Sequence, residues 1–163
     1  MMNDTFNQIE YHTRQFIDEY LDKLILPSVT KLVQDTNLCG KKKDEDRKLK
    51  SQLSSLQNLM RETNSVQVVL NWIRYQTGRL KAWKDDQFGE KVLIELENLG
   101  QTASDIINDL NLDETALMAL YPTLKDSIRA RERFKRKIWK QLIEQYVGQL
   151  YRSFVACQGE TEA

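Results

Sequence analysis

Besides its 24 basic and 24 acidic side chains, this 163-residue chain offers little that could do chemistry: one histidine and two cysteines. His12 is the only histidine, and its helical spacing from Ile9 and Phe16 reads as a partly buried helix residue rather than a general base. No GxSxG elbow accompanies it, so nucleophilic catalysis of the Ser-His-Asp or Cys-His kind has no support. Cys39 and Cys157 stand far apart without a CxxC or a histidine cluster, which reads as two isolated reduced thiols rather than a zinc site or a disulfide framework. Asp18 with Asp22, and Asp105 with Asp109, each place two carboxylates on one helix face. Without an HExxH or a Glu-x-x-His partner they read as solvated faces, so no metal, cofactor or catalytic residue is expected.

Phosphate is the ligand that the remaining chemistry suits. Arg129, Arg133, Arg136, Lys137 and Lys140 fall within an arc of about 100° on one helix and span about 16 Å along it, enough for several phosphate contacts. Like charges at i, i+4 repel by a few tenths of a kcal/mol, so such a ridge disfavours the helix that carries it unless an anion lies along it. A second cluster, Arg74, Arg79, Lys81 and Lys84, is interleaved with Trp72, Tyr75 and Trp83, a pattern that can hold a single strand by phosphate contact and base stacking. The competing reading puts those aromatics in the core. Lys41, Lys42 and Lys43 offer a further flexible finger.

Total charge hides this segregation. The 24 basic and 24 acidic residues cancel, yet residues 65–84 carry 4 basic and no acidic side chains, and residues 125–152 carry 9 basic and 3 acidic. Between them, residues 85–124 carry 1 basic and 9 acidic. An acidic element between two basic ones either pairs with them inside the molecule or shows faces of opposite sign to partners.

The elements that position these residues are helices. From Asp4 to Ile25, apolar residues recur with helical period, and Pro27 is expected to end or kink that helix before a shorter stretch closing at Cys39-Gly40. Residues 41–50 read as a charged loop. Leu49, Leu53, Leu56 and Met60 mark one helix face, and Asn64-Ser65 caps the next helix, which runs to Trp83. Asp85 or Asp86 starts a fourth helix with one weak point at Gly100, Asp113-Glu114 starts a short fifth, and Leu124, Ile128, Phe134 and Ile138 open the apolar face of a long last helix. Residues 157–163 read as a frayed tail. A helix-turn-helix over residues 49–83 is disfavoured because its corner, Glu62-Thr63-Asn64-Ser65, lacks glycine and the chain as a whole is not basic.

With only 6 Gly and 2 Pro, turn-rich β architectures are excluded. The expectation is an all-α, single-domain antiparallel bundle of about five to six helices over residues 1–163, with a long C-terminal helix. No apolar run approaches the roughly 18 residues that cross a bilayer, and the polar, acidic MMNDTFNQIEY is unlike a targeting peptide, so a cytoplasmic location without membrane contact is expected.

The stretch LSSLQNLMRETNSVQVVLNWIRYQTGR, Leu53 to Arg79, resembles the two-helix signature of the small helical subunits of type III CRISPR effector complexes. The likeness lies in Leu53, Leu56, Leu59 and Met60, then the corner at Asn64, then Val66, Val69, Leu70 and Ile73. The chain departs from that pattern in Ser65, where a glycine commonly follows the Asn, in a longer acidic fourth helix and in a long basic last helix. The resemblance implies a non-enzymatic role in antiviral defence, with RNA (guide or target strand) and other effector subunits as partners. The alternative is a helical protein–protein adaptor or homo-oligomer without a nucleic-acid role, in which the acidic helix of one copy meets the basic helix of another.

Overall fold

The computed structural model describes residues 2–162, and side-chain surroundings over 4–158. Helix α1, Met2–Tyr20, does not end at Pro27 but passes through a π-helical turn, Leu21–Ile25, straight into α2, Leu26–Asp35. The Leu26 N–H bonds to the Leu21 carbonyl, five residues back, so the hydrogen-bond ladder changes register just ahead of the proline. Pro27 then occupies the first turn of α2, where its missing N–H is not needed.

Thr36 closes α2 from a fully buried position, its hydroxyl donating to the Leu32 carbonyl at 2.7 Å. A short 3₁₀ turn, Leu38–Gly40, follows, and there the expectation of separate thiols is overturned: Cys39 is joined to Cys157 by a disulfide. No spacing rule could announce this pair, because it forms only when the last helix brings its end back to the turn after α2.

Helix α3 spans Lys43–Glu62, so most of the charged segment read as a loop is helical. Its acids explain why. Asp44, Glu45 and Asp46 fall in the first turn, where carboxylates meet the free N–H groups and the positive end of the helix dipole. Ser65 caps α4, Val66–Arg79, its hydroxyl accepting from the Val68 N–H at 3.3 Å. The helix expected to reach Trp83 stops at Leu80, whose backbone is extended, and a single-turn α5, Lys81–Lys84, carries Trp83 into the core against Trp72 and Phe88. Neither Asp85 nor Asp86 caps the next helix: Asp86 and Gln87 both adopt left-handed backbone before α6, Phe88–Leu110, begins. Asp113 does cap α7, Glu114–Leu120, accepting from the Ala116 N–H at 2.7 Å.

Helix α8, Ser127–Glu162, is started by Asp126, whose carboxylate accepts from the N–H groups of Ile128 and Arg129 at 2.9 and 3.4 Å. Its backbone remains helical through the segment read as a frayed tail, as far as Glu162. Phe134, Ile138, Leu142, Tyr146, Leu150 and Phe154 bury one seam of α8 against α6, α2 and α3. A single apolar cluster joins residues from Ile9 to Phe154, and no strand occurs among the described residues. The architecture is the all-α bundle that the periodicity predicts, with the long C-terminal helix at its centre.

Two glycines are required by close approach rather than by backbone conformation. At Gly100 the Trp139 indole lies where a Cβ would be 3.2 Å from its ring, and the indole N–H donates to the Leu96 carbonyl at 2.8 Å. The weak point of α6 is therefore its docking notch for α8. At Gly89 a Cβ would overlap the Thr77 side chain, whose hydroxyl is itself tied to the Ile73 carbonyl at 2.7 Å.

Two outcomes follow for stability. Gly89→Ala is expected to cost about 1–3 kcal/mol in urea unfolding through overpacking, and Thr77→Ala in the same chain should recover much of it. Reducing the Cys39–Cys157 bond, which closes a loop of 118 residues, should lower the unfolding free energy by about 2–4 kcal/mol while leaving helical circular dichroism intact at low denaturant, because Leu150 and Phe154 still hold α8 in the core.

Candidate nucleic-acid interface

The first turns of α8 set the geometry of the basic ridge. With its apolar seam facing α6, the helix turns Arg129, Arg133, Arg136, Lys137 and Lys140 to one side, where all five line a groove of about 660 Å³. The other wall comes from the turn before α8, at Tyr121 and Leu124, and from the α3–α4 corner at Asn64. The structure thus brings together every ridge residue that the helical spacing predicted.

Their partners differ. Among the described residues no carboxylate pairs with the guanidinium of Arg129, Arg133 or Arg136 within 4.0 Å, although Glu132 lines the same groove and Asp126 holds the Arg129 backbone N–H. Arg133 rests its guanidinium 5.4 Å from the centre of the Tyr121 ring. Burial pushes the Tyr121 phenol above its ordinary pKa, and the Arg133 charge only partly opposes that rise. Lys137 lies 3.8 Å from Glu10 of α1 and 5.9 Å from the Phe6 ring centre. Lys140 pairs with Glu144 at 3.2 Å and donates to Asn64 at 3.4 Å, which ties the ridge to the α3–α4 corner. The two lysines are thus moored to acids, and the three arginine guanidinium groups are not, although Glu132 lies among them.

The acidic helix does not neutralise the ridge. Glu97 of α6 pairs instead with Arg74 of α4 at 2.9 Å, and the contact of α8 with Asn108 is made by Arg131, which lies off the ridge. Of the two readings open to the segregated charges, pairing inside the molecule holds between α4 and α6, and display holds for the face of α8.

The second basic cluster is not gathered into one site. Trp83 is 0 % exposed and Trp72 is half-buried against it, so neither indole offers a face for base stacking. Arg74 and Lys84 border a separate hollow with Gly78 and Glu90. Arg79 folds back on exposed Tyr75, its guanidinium 5.6 Å from the ring centre. Lys81 bonds Glu45 at 3.0 Å, which raises the lysine pKa and lowers that of the carboxylate. Lys41 is not a flexible finger either: its side chain is 5 % exposed and lies 3.8 Å from Asp85.

His12 is exposed rather than partly buried, its Nδ1 3.4 Å from Gln15 Oε1. No cluster of three or more potential metal ligands occurs among the described residues. The groove residues that sequence reasoning missed are Asn64, Tyr121, Leu124 and Ile128 as wall and floor, and Glu132, the one carboxylate among the cations. Ile128, expected on the apolar face of the last helix, is 74 % exposed. Its position, about 120° round the helix from Phe134, the nearest residue of the buried seam, was the available signal.

Scans against protein-family models, curated protein sequences and solved structures return no match.

Arg129 sits in the first turn of α8, beside the positive end of the helix dipole and one turn before Arg133. Asp126 and Glu132, each three residues from Arg129, offset the dipole and Arg133, so Arg129→Gln is expected to change stability by less than about 0.5 kcal/mol in urea unfolding at low ionic strength.

Proposed function

We propose that this chain is a non-enzymatic helical subunit that holds RNA by its phosphate backbone along α8. The observation that carries the reading is a groove lined by five cations and one carboxylate, Glu132, in which none of the three arginine guanidinium groups is paired with an acid. Guanidinium groups suit this task because each presents several donors to phosphate oxygens, and such contacts neutralise the strand without reading its sequence. The helix–corner–helix of α3 and α4 supplies the Leu53–Arg79 features that resemble the small subunits of type III CRISPR effectors. On that likeness, the place of the chain is in an RNA-guided defence complex, contacting guide or target strand and neighbouring subunits.

No helix among the described residues is long and apolar enough to cross a membrane. A cytoplasmic location belongs to this proposal, and there the Cys39–Cys157 bond would meet a reducing thiol pool. The bundle would then rest on its buried seam alone.

A second reading is favoured by one observation: the same uncovered ridge could face the acidic α6 of another copy, giving a homo-oligomer without nucleic acid. Fluorescence anisotropy of labelled single-stranded RNA separates the two. The wild type is expected to lose about 20- to 100-fold in affinity between 50 and 200 mM salt, as three to five neutralised phosphates require. The folded variant Arg129→Glu, Arg133→Glu, Lys137→Glu should bind too weakly to measure. Absence of binding at 50 mM salt, together with a concentration-dependent mass that the triple variant abolishes, would replace the RNA reading with self-association.

A further inference from the structure

Resting on the phosphate-ridge reading, we infer that the groove takes a single strand rather than a duplex, with one unstacked base seated on an apolar floor at the start of α8. Ile128, Leu124 and Tyr121 line the groove together with the arginines. An isolated apolar side chain on a surface carries no message. Here the setting differs, because Ile128 is 74 % exposed and shares the groove with Arg129 and Arg133. The Arg133 guanidinium is held over the Tyr121 ring, so the cation nearest this floor has a fixed seat rather than a free swing.

Charge complementarity names the occupant. A polyanion suits a groove in which five cations face one carboxylate, Glu132, and an apolar body within reach of its phosphates suits the floor. A single strand supplies both, since its bases can splay from the backbone and lie on flat or apolar side chains. In a duplex the bases stay paired and stacked, and only phosphate and sugar would reach Ile128. A purely electrostatic ligand has no group to place there at all. The side chain of Ile128 thus discriminates between forms of nucleic acid that the arginines cannot tell apart.

The test compares three probes by anisotropy or competition at fixed salt: a labelled 15-nucleotide single-stranded RNA, the same sequence as a duplex, and inorganic polyphosphate of similar charge. Ile128→Ser, at an exposed position, is expected to weaken single-strand binding by about five- to tenfold and leave the salt slope unchanged. Duplex and polyphosphate affinities should not move, and Ile128→Trp should strengthen the single strand alone. Salt-sensitive binding of all three probes that is indifferent to both substitutions would overturn this inference and leave the ridge standing. Failure of the wild type to bind any of the three would overturn the ridge reading and this one together.

Discussion

Everything in this bundle hangs on the buried seam of α8. Phe134, Ile138, Leu142, Tyr146, Leu150 and Phe154 are each removed from water, and α6, α2 and α3 all pack on the helix that carries them. At about 1.5–3 kcal/mol for each large apolar side chain buried, these six outweigh every surface ion pair in the molecule. The notch at Gly100 fixes how deeply α8 sits on α6, because only a residue without a Cβ lets the Trp139 indole lie flush and reach the Leu96 carbonyl. Depth and rotation of α8 are set there, and the opposite face of the helix follows from them.

The ridge is thus a by-product of packing that the surroundings leave uncorrected. A helix that buries one seam must show the other, and the exposed side of α8 could have been answered by the acidic α6. Instead α6 spends Glu97 on Arg74 of α4, and the lysines of the ridge find Glu10 and Glu144. The start of α8 is answered by the Asp126 cap, and Glu132 shares the groove, but neither carboxylate pairs with an arginine guanidinium there. The excess of five cations over one carboxylate in the groove is the physical ground on which an anionic ligand is proposed.

Much of the fold was legible in the periodicity, and the failures share a cause. The seams of α3, α6 and α8, and the caps at Ser65 and Asp113, follow from local rules that tertiary packing had no reason to override. Pro27 does not end the helix, because a π-helical turn just ahead of it lets the ladder shift register, while Ile25 and Val29 are buried in the core. Residues 43–50 misled because a charged run reads as loop unless its acids fall at a helix start. Trp83 misled because its burial requires the break at Leu80, which no propensity in the sequence marks. The five ridge residues were recoverable from spacing alone, since they share one helix. The rest of the groove was not: Asn64 and Tyr121 reach it from other elements, and only the packed structure puts them beside Lys140 and Arg133.

The two ends of α8 carry unlike loads. Arg129 and Cys157 are separated by about 42 Å of helix, and between them lies the densest part of the core. A change at the disulfide therefore reaches the groove only by loosening that core, not by moving the ridge directly, because packed interiors transmit small strains poorly unless they have a second arrangement to adopt. Opening the Cys39–Cys157 bond alters how long α8 stays docked, whereas the arginines decide what it holds while docked. On the proposed reading, stability and recognition are in this way separated along a single helix, and substitutions at one end can be read without confusion from the other.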